Sequence, residues 1–334
     1  MTIKDLAKKT GYGVATVSRV LNGHPSVSET ARSTILRAAE ESGFQLNSNA
    51  KQLKQQHSTS ILVVVKGSSN EMFLELLESI QSLADQAHYP LHVDYMDESL
   101  NEVQRAVQLC REMKPLGILF LGGNSRNFLS DFHRIDIPCV LVSNDASELG
   151  FPNLSSVCTN DRMAARAAMD ALVSLGHRRF AIVGGFKDSS DTSRLRYLGC
   201  MDSLSQHGID FDEKGAYRGV LFSYREAYEA TRSLIEQGLE FTALFAAADV
   251  MAIGAIRALR DCGLKVPEDV SVMGFDGLPL GSYLIPQLST VSQSVQEMAK
   301  LSVEMLISQI KDGAKARHIF VPFTLCQRES TRQI

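Results

Sequence analysis

Residues 1–23 read MTIKDLAKKTGYGVATVSRVLNG, two short helical patterns separated by Gly11-Tyr12-Gly13. Over residues 2–9, Thr2 is placed to cap a helix and Asp5, three positions later, completes the capping pattern. Ile3, Leu6 and Ala7 give that helix one apolar face. Val14 to Leu21 predicts a second helix with Val17, Val20 and Leu21 turned inward, ended by Asn22-Gly23. Pro25 and Ser28 reset the chain, and a third helix is predicted from about Glu29 to Ser42, stopped by Gly43. Two helices joined by a glycine-bearing turn, with a third to close the core, make a helix-turn-helix domain over residues 1–46.

The charge distribution asks what that domain faces. Residues 1–56 carry eight Lys or Arg against four acids, a balance of +4; the whole chain is at −4, so the remainder carries −8. A basic end on an acidic body suggests a head that meets nucleic acid. The 334 residues are too many for one small core and suit two or three domains. Six cysteines lie scattered without a Cys-x-x-Cys pair, four of them in apolar runs or helical patterns, which predicts buried thiols and no metal cluster. The N-terminus lacks the apolar stretch of a signal peptide and no run approaches spanning length, so a cytoplasmic protein without membrane contact is expected.

Residues 47–59 are polar, too short and too polar for a helix that stands alone, and read as a linker or as a helix that forms only when something supports it. From Ser60 strands and helices alternate. Apolar strands are predicted at 61–65, 91–95, 117–121, 139–143, 180–184, 243–247 and 270–274. Amphipathic helices are predicted near 72–87, 100–113, 161–175, 194–207, 225–237 and 249–262, followed by a helix at about 295–312 and one strand at about 318–326. Such alternation means parallel sheets covered on both faces, with strands enough for two doubly wound α/β units. An enzyme that uses a dinucleotide is disfavoured, because KGSSNEM and not G-x-G-x-x-G follows the first strand. No His, Cys or carboxylate set suggests a triad or a metal, and no cofactor is expected.

The head sequence, above all Thr16-Val-Ser-Arg-Val-Leu-Asn-Gly23, resembles the DNA-binding domain of the LacI/GalR-type bacterial regulators. LGHRRFAIVGG (175–185), SRLRYLGCMDSL (193–204), the run 248–277 and PQLSTVSQ (286–293) are similar to landmarks of that family's periplasmic-sugar-binding-protein-like core. The resemblance implies a repressor acting as a homodimer on a palindromic double-stranded operator, controlled by a sugar-like effector. It implies two half-domains, 60–159 with 290–318 and 160–289 with 319–334, with crossovers near Thr159, Ser289 and Ile319. The C-terminus shows no leucine heptad tail, which favours a dimer over a tetramer.

In that family the helix matching Val14–Leu21 enters the major groove. Val14 and Ala15 would sense thymine methyls and shape, and Arg19 is the side chain able to make a bidentate guanine contact. Thr2, Thr16, Ser18 and Asn22 would clamp phosphates. Gly13 stands where the family often has Ser or Thr, which removes a cap and a phosphate contact. The segment matching Asn47–Gln56 would fold on DNA as a hinge helix, with Leu53 as a minor-groove wedge, Ala50 at the close-packed position and Lys51 along the groove wall. For the effector, the resemblance implies Arg196 and Asp276 as hydroxyl-binding groups, Phe73 as a stacking ring, and Ser143, Asn144 and Asp145 at the same cleft. Ala248 replaces a common Asn, and Asp249 beside it reads as a helix cap.

Overall fold

A computed structural model describes residues 3–21, 27–42, 59–67 and 70–334, which divide after Ser58 into two units. The first unit contains α1 (Ile3–Thr10), α2 (Val14–Leu21) and α3 (Glu29–Glu41). Leu6, Val17, Val20 and Ile35 are buried together with Ala38 and Ala39, the inward faces that helical spacing predicts. Gly11 takes φ +72, the left-handed conformation that a tight turn here demands of glycine. Backbone N–H groups of Thr16 and Val17 then donate to the carbonyl of Gly13 and start α2. The expected Thr2 cap and the stops at Asn22-Gly23 and Gly43 lie outside the described residues.

The second unit is built on two six-stranded sheets. The first runs β11-β5-β4-β3-β1-β2, formed by β1 (Ile61–Lys66), β2 (Leu91–Met96), β3 (Gly117–Leu121), β4 (Cys139–Val142), β5 (Leu154–Thr159) and β11 (His318–Val321). The second runs β12-β10-β9-β8-β6-β7, from β6 (Phe180–Gly184), β7 (Tyr217–Gly219), β8 (Ala243–Ala246), β9 (Ser271–Asp276), β10 (Ser289–Gln293) and β12 (Phe323–Cys326). The paired strands are parallel except β10 with β12. Central strands such as β1, β3 and β8 are buried along almost every residue, as sheets covered on both faces require. The covering helices are α4 (Glu71–Gln86), α5 (Glu102–Met113), α6 (Ser125–Asp131), α7 (Asp161–Ser174), α8 (Asp191–Gln206), α9 (Tyr224–Glu236), α10 (Asp249–Asp261) and α11 (Val295–Asp312). This is the fold class expected from sequence, a helix-turn-helix head and a doubly wound core of two lobes.

The structure corrects several boundaries. The single strand expected at 318–326 is two strands in different sheets. Pro322 separates them, having no N–H to continue a ladder, and the chain changes lobe there. Ile319–Val321 therefore lies with the first sheet, and Thr290–Gln293 with the second. The second and third crossings thus fall at Ser294 and Pro322, beyond the positions expected near Ser289 and Ile319. Strand β5 escapes an apolar reading because it contains Ser155 and Ser156, both buried and hydrogen-bonded. Ser156 Oγ accepts from Ala146 N at 3.0 Å, and Ser155 Oγ accepts from Arg317 N at 3.1 Å. Of the six cysteines, all unpaired, Cys139, Cys158 and Cys200 are buried and the other three are partly exposed, one fewer buried than expected.

Close helix contact in the second lobe depends on small residues. A Cβ on Gly199 of α8 would stand 2.2 Å from the Arg162 carbonyl oxygen of α7, which is backbone and cannot swing aside. Gly199→Ala should therefore lower stability by about 1–3 kcal/mol through overpacking, seen as an earlier urea midpoint with unchanged slope.

Candidate functional site

The head presents one face of α2. Val14 is 43% exposed, and Ala15 and Arg19 are exposed beside it, while Thr16 and Ser18 are half-buried. The pattern follows from Val17 and Val20 facing the core, which turns positions 14, 15, 18 and 19 outward. Lys8 and Lys9 of α1 are also exposed, and Gly13 is exposed with nothing near an added Cβ. Thr2, Asn22, Ala50, Lys51 and Leu53 lie outside the described residues.

The core carries a cleft at the carboxyl ends of both sheets, where open parallel sheets place their ligands. Its floor is Arg196 and Asp276, both buried. Arg196 leaves α8 and donates from Nε to Asp161 at 2.7 Å and from Nη1 to the Ala247 carbonyl. Nη1 also lies 3.6 Å from Asp276, and the guanidinium stacks 3.6 Å from the Phe275 ring centre. Nη2 has no hydrogen bond among the described residues. Asp276 ends β9 at φ +123, a backbone conformation that a non-glycine residue adopts under strain, and accepts from Gln293 Nε2 at 2.9 Å.

Asp249 lies behind this floor. Although it opens α10, its side chain does not cap that helix: it accepts from Leu278 N at 2.7 Å and Thr290 Oγ1 at 2.6 Å. The expectation of a cap is corrected by burial, because a carboxylate without exposure binds whichever donors surround it. Gly274 permits the approach, since a Cβ there would stand 2.2 Å from Asp249 Oδ1. Burial, with the Asp276 charge beside it, pushes the Asp249 carboxyl up to about 7. Burial likewise lifts Asp276 to about 6 against the pull of Arg196, and raises Asp161 against the same pull.

The walls come from both lobes. Phe73 of α4 lies against Gly122, whose φ of +80 and missing Cβ leave room for the ring edge. Phe222 and Phe186 face the cleft from the second lobe, where Gly185 leaves space for Phe222. Ser143 and Asn144 also line it, but Asp145 does not: its carboxylate accepts from Ser147 N at 3.0 Å and Ser156 Oγ at 3.2 Å, which holds it in the turn after β4. Ala248 is buried and outside the lining. Hydrogen bonds join the lobes directly. Asn124 Nδ2 donates to Ser189 O at 2.6 Å, Ser125 N to Asp191 at 2.9 Å, Asn144 Nδ2 to Thr192 Oγ1 at 3.0 Å, and Tyr224 to Glu71.

Sequence reading missed Asp161, Asn124, Thr192, Phe222 and Gln293. Four of these sit just past a strand or at a helix start beside the cleft, so the rule that ligands gather at strand ends would have drawn attention to them. Among the described residues no group of three or more His, Cys, Asp or Glu could hold a metal, and no helix is long and apolar enough to cross a membrane.

Comparison with known proteins adds the following. A family model described as bacterial regulatory proteins, lacI family, matches residues 2–47, and a periplasmic binding protein-like domain matches residues 169–331. The HTH-type transcriptional regulator MalR of Clostridium butyricum is 34% identical over 99% of both chains. The ribose operon repressor of Haemophilus influenzae is 30% identical over 98% of both. Among solved structures, a lac repressor dimer bound to operator and the anti-inducer ONPF aligns over 99% of both chains at 27% identity with a TM-score of 0.78. A complex of the transcriptional regulator CelR with cellobiose aligns over 99% of both at 25% identity and 0.71.

Asp249→Ala strands buried donors from Leu278 and Thr290, and should destabilise the core by about 1–3 kcal/mol. Because burial raises Asp249, its protonation stabilises the fold fully below the ordinary carboxylate range, and that contribution is lost as pH rises through about 7. The deficit of the variant, read by urea unfolding, should therefore be larger at pH 5 than at pH 8.

Proposed function

The chain belongs to the lacI family of bacterial regulatory proteins, and from that premise we propose that it is a repressor that binds a palindromic operator as a homodimer and answers to a sugar or sugar derivative in the core cleft. That it is a DNA-binding transcriptional regulator, and not an enzyme, follows from the family. The finer reading is carried by one observation: a helix-turn-helix whose α2 turns Val14, Ala15 and Arg19 outward shares a chain with a two-lobed cleft floored by Arg196 and Asp276.

On the DNA side, Arg19 is the base-reading group, able to make a bidentate pair with guanine worth about 1–3 kcal/mol of discrimination. Val14 and Ala15 meet thymine methyls, while Thr2, Thr16, Ser18 and Asn22 hold phosphates. Residues 47–59 form the hinge between residues 1–46 and the core; Ala50 packs two hinge helices together, Lys51 follows the groove wall and Leu53 wedges between base steps. On the effector side, the Nη2 donor of Arg196 and the Asp276 carboxylate suit neighbouring hydroxyls, and Phe73 offers a face to the apolar side of a ring. Ser143 and Asn144 take further hydroxyls, and Asp145 serves the turn. Two relatives support this direction: one is a lac repressor dimer bound to operator and an anti-inducer, the other a regulator in complex with cellobiose.

Coupling needs only a modest bias. If effector binding favours one arrangement of the lobes by about 1–3 kcal/mol, operator affinity shifts roughly 5- to 150-fold.

Two substitutions test the reading by fluorescence anisotropy with labelled duplexes. Leu53→Ala should weaken binding to the specific operator far more than to random duplex; equal loss on both overturns the wedge. Arg196→Lys, which keeps a cation between Asp161 and Asp276, should leave operator binding in place while the response to a sugar that acts on the wild type weakens at least about tenfold; an intact response removes Arg196 from the site.

A further inference from the structure

The reading of the cleft as an effector site leaves open which charge its ligand carries, and the side chains around it bear on that question. Four charged residues line the cleft among the described residues: Lys66, Glu98, Arg196 and Asp276. Ser68 and Ser69, the two residues of the β1–α4 loop outside the description, are uncharged.

Both cations are already matched. Lys66 Nζ is paired with Glu102, a fully buried carboxylate, and donates as well to the Leu100 carbonyl at 2.9 Å. Glu102 is itself fixed by Asn124 N at 2.6 Å and Asn127 Nδ2 at 2.8 Å. Arg196 is held between Asp161 and Asp276, with Asp249 close behind. Glu98 differs from all of these. It stands in the loop after β2, half-buried, and makes no hydrogen bond or ion pair among the described residues. Burial and the neighbouring Asp97 disfavour its charge, opposed by Lys66. The four lining charges are thus two carboxylates and two cations, and among the described residues Glu98 is the one with no hydrogen-bond or ion-pair partner.

We propose that Glu98 is a specificity-determining residue that makes the cleft reject anionic sugars, phosphorylated or carboxylated, and admit uncharged ones. An anion would face Glu98 in the cleft, where among the described residues no unmatched cation stands to receive it. To free Lys66 for that purpose would strand buried Glu102, and Arg196, its charge already opposed by Asp161 and Asp276, has only its Nη2 donor to offer. An uncharged polyol meets no such obstacle, because hydroxyls donate to Glu98 and Asp276 and accept from Arg196.

The test uses the full-length protein and paired probes: D-ribose with ribose 5-phosphate, D-glucose with glucose 6-phosphate, D-galactose with galacturonate, and the neutral disaccharides maltose and cellobiose. Thermal shift finds the sugars that bind, and calorimetry ranks each pair. The wild type should prefer the neutral member by about 100-fold or more, the scale of one close like-charge contact at a partly buried site. Glu98→Gln should narrow that ratio at least about tenfold, and Glu98→Lys should narrow it further, a step that loss of shape alone would not give. An anionic probe that binds the wild type as tightly as its neutral partner overturns the role of Glu98 while leaving the effector cleft in place. A ratio unchanged in both variants overturns it as well. If no probe binds any of the three proteins, the sugar-effector reading falls, and this inference with it.

Discussion

Three passes of one backbone between two sheets govern the architecture of the core. The chain leaves the first sheet after β5, returns after β10 and crosses again at Pro322, and Ser294 Oγ donates to the Pro322 carbonyl at 2.7 Å, tying two of those passes together. With the passes on one side, the carboxyl ends of both sheets face a common space. Every residue of the cleft owes its position to that arrangement: Gly122, Ser143, Asn144 and Asp276 come from strand ends, while Phe73 and Arg196 come from the helices that follow.

The second constraint is electrostatic. The floor holds one guanidinium among Asp161, Asp276 and Asp249, all of them buried. Desolvation of such groups cancels much of their mutual attraction, so this cluster is weak support for stability. Its hydrogen bonds do something else. They lock Arg196 against Ala247 and Phe275, and they fix Asp276 in a backbone conformation that strain would otherwise release. The result is a rigid recognition surface, the property that selective binding of small polar molecules depends on.

Much of this was legible in the residues themselves. Helical spacing in Ile3–Leu21 placed Val17 and Val20 inward, and long apolar runs such as ILVVV and GILFL announced buried parallel strands. Legibility failed where polar side chains are satisfied by distant partners. LSSVCT does not look like a central strand until Gln309, Arg317 and Asp145 are seen to engage its serines. Asp249 reads as a helix cap and Asp145 as a cleft residue; instead one is buried under the cleft floor and the other is folded into a turn. That difference is tertiary, and local pattern does not contain it. The strand at 318–326 failed for another reason: Pro322 punctuates it, but periodicity alone does not say that the two halves join different sheets.

The direct bonds between the lobes have a consequence for what can lodge there. Asn124, Ser125, Asn144 and Tyr224 bond the rims directly to one another. The jaw thus carries its own clasp, and a guest need not reach from side to side to keep it shut. Bulk then becomes as telling as chemistry: a molecule that fits inside the clasped volume lets the rims meet, and one slightly too large props them open.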